Sequence, residues 1–209
     1  MYRFLSGTWR GILKSTPLII GSIVILGVLA GELALAHDEG GGGAGFVTGI
    51  FHPVLGFDHF LAMLSVGVIS AQIGGRAIWY VPATFVLAMI FGGVLGMQKV
   101  NLLAVEAGIA LSVLILGATL AGGKIMPKWF AIVSVTIFGI FHGHAHGTEM
   151  PLITNPWLYA AGFVLGTATI HLAGVLVGIA LRRRQVGHYV LRATGVGIAG
   201  IGAYILINL

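Results

Sequence analysis

The chain has 209 residues, of which 57% are hydrophobic and only 8% charged; an ordinary soluble domain is about 25% charged, so this balance argues against a water-soluble fold. Eleven basic and six acidic residues give a formal charge of +5, but the basic residues stand between long apolar runs and form no aromatic-interleaved patch, which removes nucleic acid as a partner. There is no cysteine, which excludes disulfides, thiolate metal sites and cysteine nucleophiles, whereas the eight histidines outnumber the six acidic residues.

A membrane-spanning helix needs about 20 mostly apolar residues. Seven segments qualify, at 15–35, 46–70, 77–97, 102–122, 129–147, 157–181 and 189–208. The expected fold is therefore all-α, a polytopic membrane helix bundle. In the first segment, Arg3, Arg10 and Lys14 precede the apolar run Leu18–Ala30, and Ala34-Leu35-Ala36 follows as a small-x-small triplet. That order is the pattern of a secretory signal peptide. The expected organisation is a leader at 1–36 and one transmembrane domain at 37–209, with six mature helices; a retained first helix is the alternative. The remaining cations fix a topology. Arg76, Lys124, Lys128, Arg182, Arg183, Arg184 and Arg192 fall on one side and Lys99 on the other, which places both mature termini outside a bacterial inner membrane under the positive-inside rule. Trp79, Trp129 and Trp157 stand near helix ends, where interfacial rings are favoured.

Ionisable groups inside membrane helices are costly and usually mark function. The second segment contains His52-Pro53-Val54-Leu55-Gly56-Phe57-Asp58-His59. On a regular helix His52 and His59, seven apart, share a face. Pro53 interrupts the helical bonds and Gly56 permits local unwinding. Asp58 and His59 lie about 12–13 residues past Phe46, near the midplane at roughly 1.5 Å per residue, and a carboxylate there must be paired, protonated or metal-bound. The fourth segment carries Glu106 near its outer end. The fifth ends in His142-Gly143-His144-Ala145-His146-Gly147-Thr148-Glu149, where His142 and His146 share a face and His144 points elsewhere. His171 occupies the middle of the sixth.

These residues divide into two groups. His52, Asp58, His59, His142, His146 and His171 are candidates for a deep metal site. His37, Asp38, Glu39, Glu106, His144 and Glu149 are candidates for an outer access route. Imidazole with carboxylate suits nickel, zinc, copper or iron. Structural readings stand beside the functional ones: a buried hydrogen-bonded pair for Asp58 and His59, a cap at the Pro53 break for His52, and packing or proton relay for His171. No nucleotide-binding motif is present, and no tightly bound cofactor is expected. The constellation suits passage of a divalent cation through the bilayer. The alternatives are a metal-sensing or accessory membrane protein without transport, and a histidine-box di-iron oxidase. Finally, Gly49-Ile50-Phe51-His52 recurs as Gly139-Ile140-Phe141-His142, 90 residues and three helices later. That spacing suggests a 3+3 inverted repeat, an arrangement many transporters use around a midplane site.

Two spaced motifs, His-Pro-x-x-Gly-x-Asp-His at His52 to His59 and Phe-His-Gly-x-Ala-His-Gly-x-Glu at Phe141 to Glu149, resemble those of the HupE/UreJ family of small nickel, sometimes cobalt, permeases. The resemblance spans essentially the whole chain, including the leader and the mature His37, and neither motif departs from the family pattern. It implies uptake of Ni²⁺, with Co²⁺ or Zn²⁺ as the other candidate substrates. It also implies a requirement for the motif His, Asp and Glu residues, and a link to hydrogenase or urease maturation. Larger nickel/cobalt transporters are similar only distantly; their first His-to-Asp-His spacing is one residue shorter.

Overall fold

A computed structural model describes residues 44–150 and 155–209. The leader and the outer candidates His37, Asp38 and Glu39 lie outside the described residues. Among the described residues every regular element is a helix: α1 (Ala44–Leu55), α2 (Phe57–Ile73), α3 (Ala77–Met97), α4 (Val105–Gly122), α5 (Lys128–Thr148), α6 (Pro156–Arg182) and α7 (Gln185–Ile207). Five of them, α3 to α7, are long and apolar enough to cross a membrane. The α1–α2 pair qualifies jointly as one broken segment. Trp79, Trp129 and Trp157 are exposed in the first turns of α3, α5 and α6.

The interruption that Pro53 and Gly56 point to falls inside the 46–70 segment, and it corrects the expected shared face of His52 and His59. The axis turns by 82° between α1 and α2, so His52 and His59 do not share a helix face. Its cause is local. Pro53 withholds one backbone donor near the end of α1, and Gly56 then leaves the helical region at φ −81°, ψ 103°. Asp58 restarts the chain as helix: its Oδ1 accepts the His59 backbone N–H at 2.8 Å, and its charge suits the positive end of the α2 dipole.

Small residues set the helix pairing, as expected where lipid supplies no hydrophobic drive between helices. The principal pairs are α3 with α5, α4 with α7, and α6 with both α1 and α2. Gly143 lies against the Met89 backbone and Gly147 against Gly93, so α3 and α5 run parallel. Gly162 meets Phe46 and Gly174 meets Leu64, which puts α6 parallel to the broken pair. Gly117 meets Ala199 while Gly202 meets Leu114, so α4 and α7 are antiparallel. Two arginines finish helices across these seams: Arg182 on α6 donates to the Ala71 carbonyl at the end of α2, and Arg192 on α7 donates to the Ala121 carbonyl at 3.0 Å. Both place a cation at a helix C-terminus, where the dipole favours it. Asn155 caps α6 by accepting from the N–H groups of Trp157 and Leu158.

The α3–α5 seam positions the histidines of α5. A methyl added at Gly143 would fall on the Met89 carbonyl, which is backbone and cannot move aside. Gly143→Ala is therefore expected to lower the thermal unfolding midpoint in detergent by roughly 2–12 °C, from an overpacking cost of about 1–3 kcal/mol. An unchanged midpoint would show that the two backbones do not meet there.

Candidate metal centre

Three helices contribute imidazoles to one file, and a fourth places His171 beyond it across the Phe85 ring. α5 stays regular through Thr148, so His142 and His146 project from one face. His52 reaches them from α1 and His59 from α2. The ring centroids of His52 and His146 are 4.7 Å apart, those of His146 and His59 4.3 Å, and those of His59 and His142 4.6 Å. Beyond His142 stands Phe85 of α3 at 5.5 Å, and on its other side His171 of α6 at 5.1 Å. The break at Gly56 makes this convergence possible: it lets two neighbouring turns of chain approach His146 from different directions.

The file begins near the surface and ends in the core. Glu149 retains 56% and His52 20% of their side-chain exposure, whereas His142 and His171 are buried at 0% and 2%. At the outer end, Glu149 Oε2 lies 3.6 Å from His52 Nε2 and 3.9 Å from His146 Nδ1. These three residues can each offer one ligand atom to a single ion. Two ligands about 2.1 Å from a tetrahedral ion sit roughly 3.4 Å apart, and the three ligand atoms here all lie within 4.8 Å of one another, so the side chains must draw together to close on an ion.

Deeper in, His59 is held by its neighbour: its Nδ1 lies 2.8 Å from Asp58 Oδ1. A carboxylate can only accept, so Nδ1 carries the proton and Nε2 the lone pair. His142 Nε2 lies 2.9 Å from Ser112 Oγ on α4. The atoms left over are the telling feature. His59 Nε2, His142 Nδ1, and both ring nitrogens of His146 and of His171 are buried without a hydrogen-bond partner, as are Tyr159 OH beside the file and Ser65 Oγ and His144 Nδ1 away from it. Each such atom costs about 1–3 kcal/mol if nothing meets it, and native interiors rarely tolerate several together. A divalent cation passing along the file would meet those on its imidazoles.

The outer candidates fare unevenly. Glu149 joins the cluster. His144 points to the opposite face of α5, as a regular helix dictates, and its Nε2 lies 2.7 Å from the Val100 carbonyl. There it secures the turn between α3 and α4, in which Lys99 and Ala104 adopt positive φ, a strained conformation for side-chain-bearing residues. Glu106 is exposed in the first turn of α4 and, among the described residues, joins neither an ion pair nor the metal-capable triad.

Sequence reasoning missed Ser112, Phe85, Tyr159 and Phe163. Phe163 lies 4.4 Å from the His146 ring and Tyr159 lies 5.6 Å from that of His52, so aromatic walls bound the outer rings. A cavity of about 260 Å³ adjoins His146, with Met89, Met97, Met150 and Phe163 among its lining residues.

No solved structure matches the chain. Protein HupE of Rhizobium leguminosarum bv. viciae is 41% identical over 177 residues, covering 84% of this chain and 92% of that protein. Residues 23–205 match the family described as HupE / UreJ protein. That match covers most of the chain and both histidine motifs that build the file, and the chain belongs to the HupE/UreJ family.

Proposed function

We propose that the protein is a secondary permease, not an enzyme, that carries Ni²⁺ inward across a bacterial inner membrane, with Co²⁺ as the next-best substrate. The observation that carries this reading is the imidazole file with its unpartnered nitrogens, running from an exposed carboxylate into the bundle. Nitrogen and oxygen donors without thiolate suit a borderline divalent ion. Spaced stations of moderate affinity suit release as well as capture. The outer station is His52, His146 and Glu149; the deeper one uses His59 and His142, with Asp58 behind His59; His171 is the innermost stop. A membrane potential, negative inside, favours entry of a dication by about 4.6 kcal/mol per 100 mV, so no nucleotide is needed.

The topology proposed has six mature spans, the α1–α2 pair counting as one, with both termini outside. Helix directions support it: the first span runs with the fifth, the second with the fourth, and the third against the sixth, as alternating spans require. The first and second of these pairings exchange under a 3+3 inverted repeat. Hydrogenase or urease maturation is the proposed destination of the metal, on family membership.

Flux into proteoliposomes across a Ni²⁺, Co²⁺, Zn²⁺ and Mn²⁺ panel tests the reading. Saturable Ni²⁺ entry is expected, with Mn²⁺ excluded. Glu149→Gln should raise the half-saturating Ni²⁺ concentration about tenfold while leaving maximal flux within roughly a factor of two, because the exposed carboxylate captures the ion but is not needed deeper in. Bound metal with zero flux would point to a sensor instead, and iron-dependent turnover to an oxidase.

A further inference from the structure

We infer that Ser112 is a positioning residue that holds His142 in the tautomer protonated at Nε2, so that Nδ1 is the atom offered to the passing ion. The inference starts from a proton count. A serine hydroxyl has one proton and two lone pairs. Ser112 Oγ lies 2.6 Å from the Ile109 carbonyl, which can only accept, and 2.9 Å from His142 Nε2. The short contact to the carbonyl takes the hydroxyl proton, so towards the ring Ser112 accepts. His142 Nε2 must then carry the hydrogen, and the neutral ring keeps its lone pair at Nδ1. That nitrogen is buried and has no other partner.

The opposite assignment is worse on both sides of the ring. It would turn the hydroxyl away from Ile109, and it would leave an N–H at Nδ1 buried with no acceptor. A protonated Nδ1 would also have no lone pair to offer a cation. The neighbouring ring carries the complementary device. Asp58 protonates His59 at Nδ1 and leaves Nε2 free. Two adjacent imidazoles, with planes at 85°, are thereby held in opposite tautomers. Each leaves one buried lone pair, and neither can rotate its donor into the ion's place without breaking a hydrogen bond. Asp58 comes from the same turn of helix as His59, whereas Ser112 comes from α4, which otherwise gives no ligand to the file. Anchoring His142 to α4 therefore ties the ligand set to a helix outside the α1, α2, α5 and α6 group. The consequence for transport rests on the cation-permease reading above; the tautomer itself does not.

The test combines a spectroscopic readout with a functional one. Full-length protein labelled with ¹⁵N-histidine is placed in lipid, and the His142 signals are assigned by their loss in His142→Asn. Wild type is expected to show a pyridine-type Nδ1 and a pyrrole-type Nε2. Ser112→Thr, which keeps the hydroxyl, should preserve both signals, and Ser112→Ala should give a mixture of tautomers. In proteoliposomes, Ser112→Ala should raise the half-saturating Ni²⁺ concentration about tenfold or more, the usual cost of removing the partner that orients a metal-binding histidine, and Ser112→Thr should restore it. Thr136→Ala, an exposed hydroxyl bonded to the Ile132 carbonyl, serves as the unaffected control. A pyrrole-type Nδ1 in wild type would overturn the assignment, as would an Ser112→Ala protein with the wild-type tautomer. If Ser112→Ala does not fold, the wild-type and Ser112→Thr spectra decide. The expected tautomers with no wild-type flux of any ion would uphold the role of Ser112 and overturn the permease reading alone.

Discussion

His146→Ala is expected to reduce Ni²⁺ uptake at least 100-fold while the protein still reaches the membrane in normal amount. His146 belongs to the outer triad with His52 and Glu149, and its ring also lies 4.3 Å from that of His59. On the permease reading, removing it would open both the proposed capture station and the handover to the next one. The vacated space would merge with the cavity lined by Met89, Met97 and Phe163, which offers a dication no charged or nitrogen ligand. Loss of a residue that only orients a metal-binding side chain typically costs 10–100-fold in metal affinity, and loss of a ligand shared by two stations should cost more. The informative control is two residues away. His144→Ala removes an imidazole from the same motif, but one that faces Val100 across the other side of α5. It should lower thermal stability by loosening the strained turn and leave Ni²⁺ affinity near wild type. Uptake by initial-rate ⁶³Ni accumulation, normalised to membrane protein, distinguishes the two. Equal losses from both substitutions would mean that the motif acts as a folding element rather than through ligands.

The shared face of His142 and His146 is legible in the sequence and the Ser112–His142 contact is not, for a physical reason. His142 and His146 lie four apart on a helix that remains regular, so local geometry dictates that they share a face and that His144 does not. The His52–His59 spacing was less transparent. Pro53 and Gly56 announced a defect, but the defect's direction depends on how α1 and α2 each seat against α6, through contacts such as Gly162 on Phe46 and Gly174 on Leu64. A helical wheel therefore assigned the two histidines a common face, whereas a sharp bend brings both to His146 by another route. Ser112 left no signal because a serine in an apolar helix ordinarily satisfies itself on a carbonyl three or four residues back. Ser112 does so on Ile109, and its second contact appears only when α4 meets α5. Phe85 is one of eleven phenylalanines, and only the α3–α5 register sets it between His142 and His171. Glu106 shows the converse. Its place at a predicted outer helix end suggested a role in access, yet position along the membrane normal says nothing about position around the bundle.

Asp58 should prove the most sensitive position after His146, and two substitutions separate its roles. Its Oδ1 accepts from both the His59 backbone and the His59 ring, and its charge is the one anion at the inner end of the α1–α2 break among the described residues. Asp58→Ala removes acceptor and charge together. Uptake is expected to vanish, and the first turn of α2 should lose about 0.3–1 kcal/mol, the usual worth of a carboxylate at the positive end of a helix, besides the hydrogen bonds that Oδ1 accepts. Asp58→Asn keeps an oxygen for His59 and for the backbone N–H, so the unfolding midpoint should stay nearer wild type. The charge, however, is gone. A unit charge about 6 Å away acts with roughly 3 kcal/mol per opposing unit charge at an effective dielectric near 20, which corresponds to a 100-fold or greater loss of Ni²⁺ affinity. Stability and flux should therefore part company: both fall in Asp58→Ala, and mainly flux falls in Asp58→Asn. Wild-type flux in Asp58→Asn would make the carboxylate a mere orienting group for His59. Matched losses of stability in the two variants would instead place its main contribution in restarting the helix after Gly56.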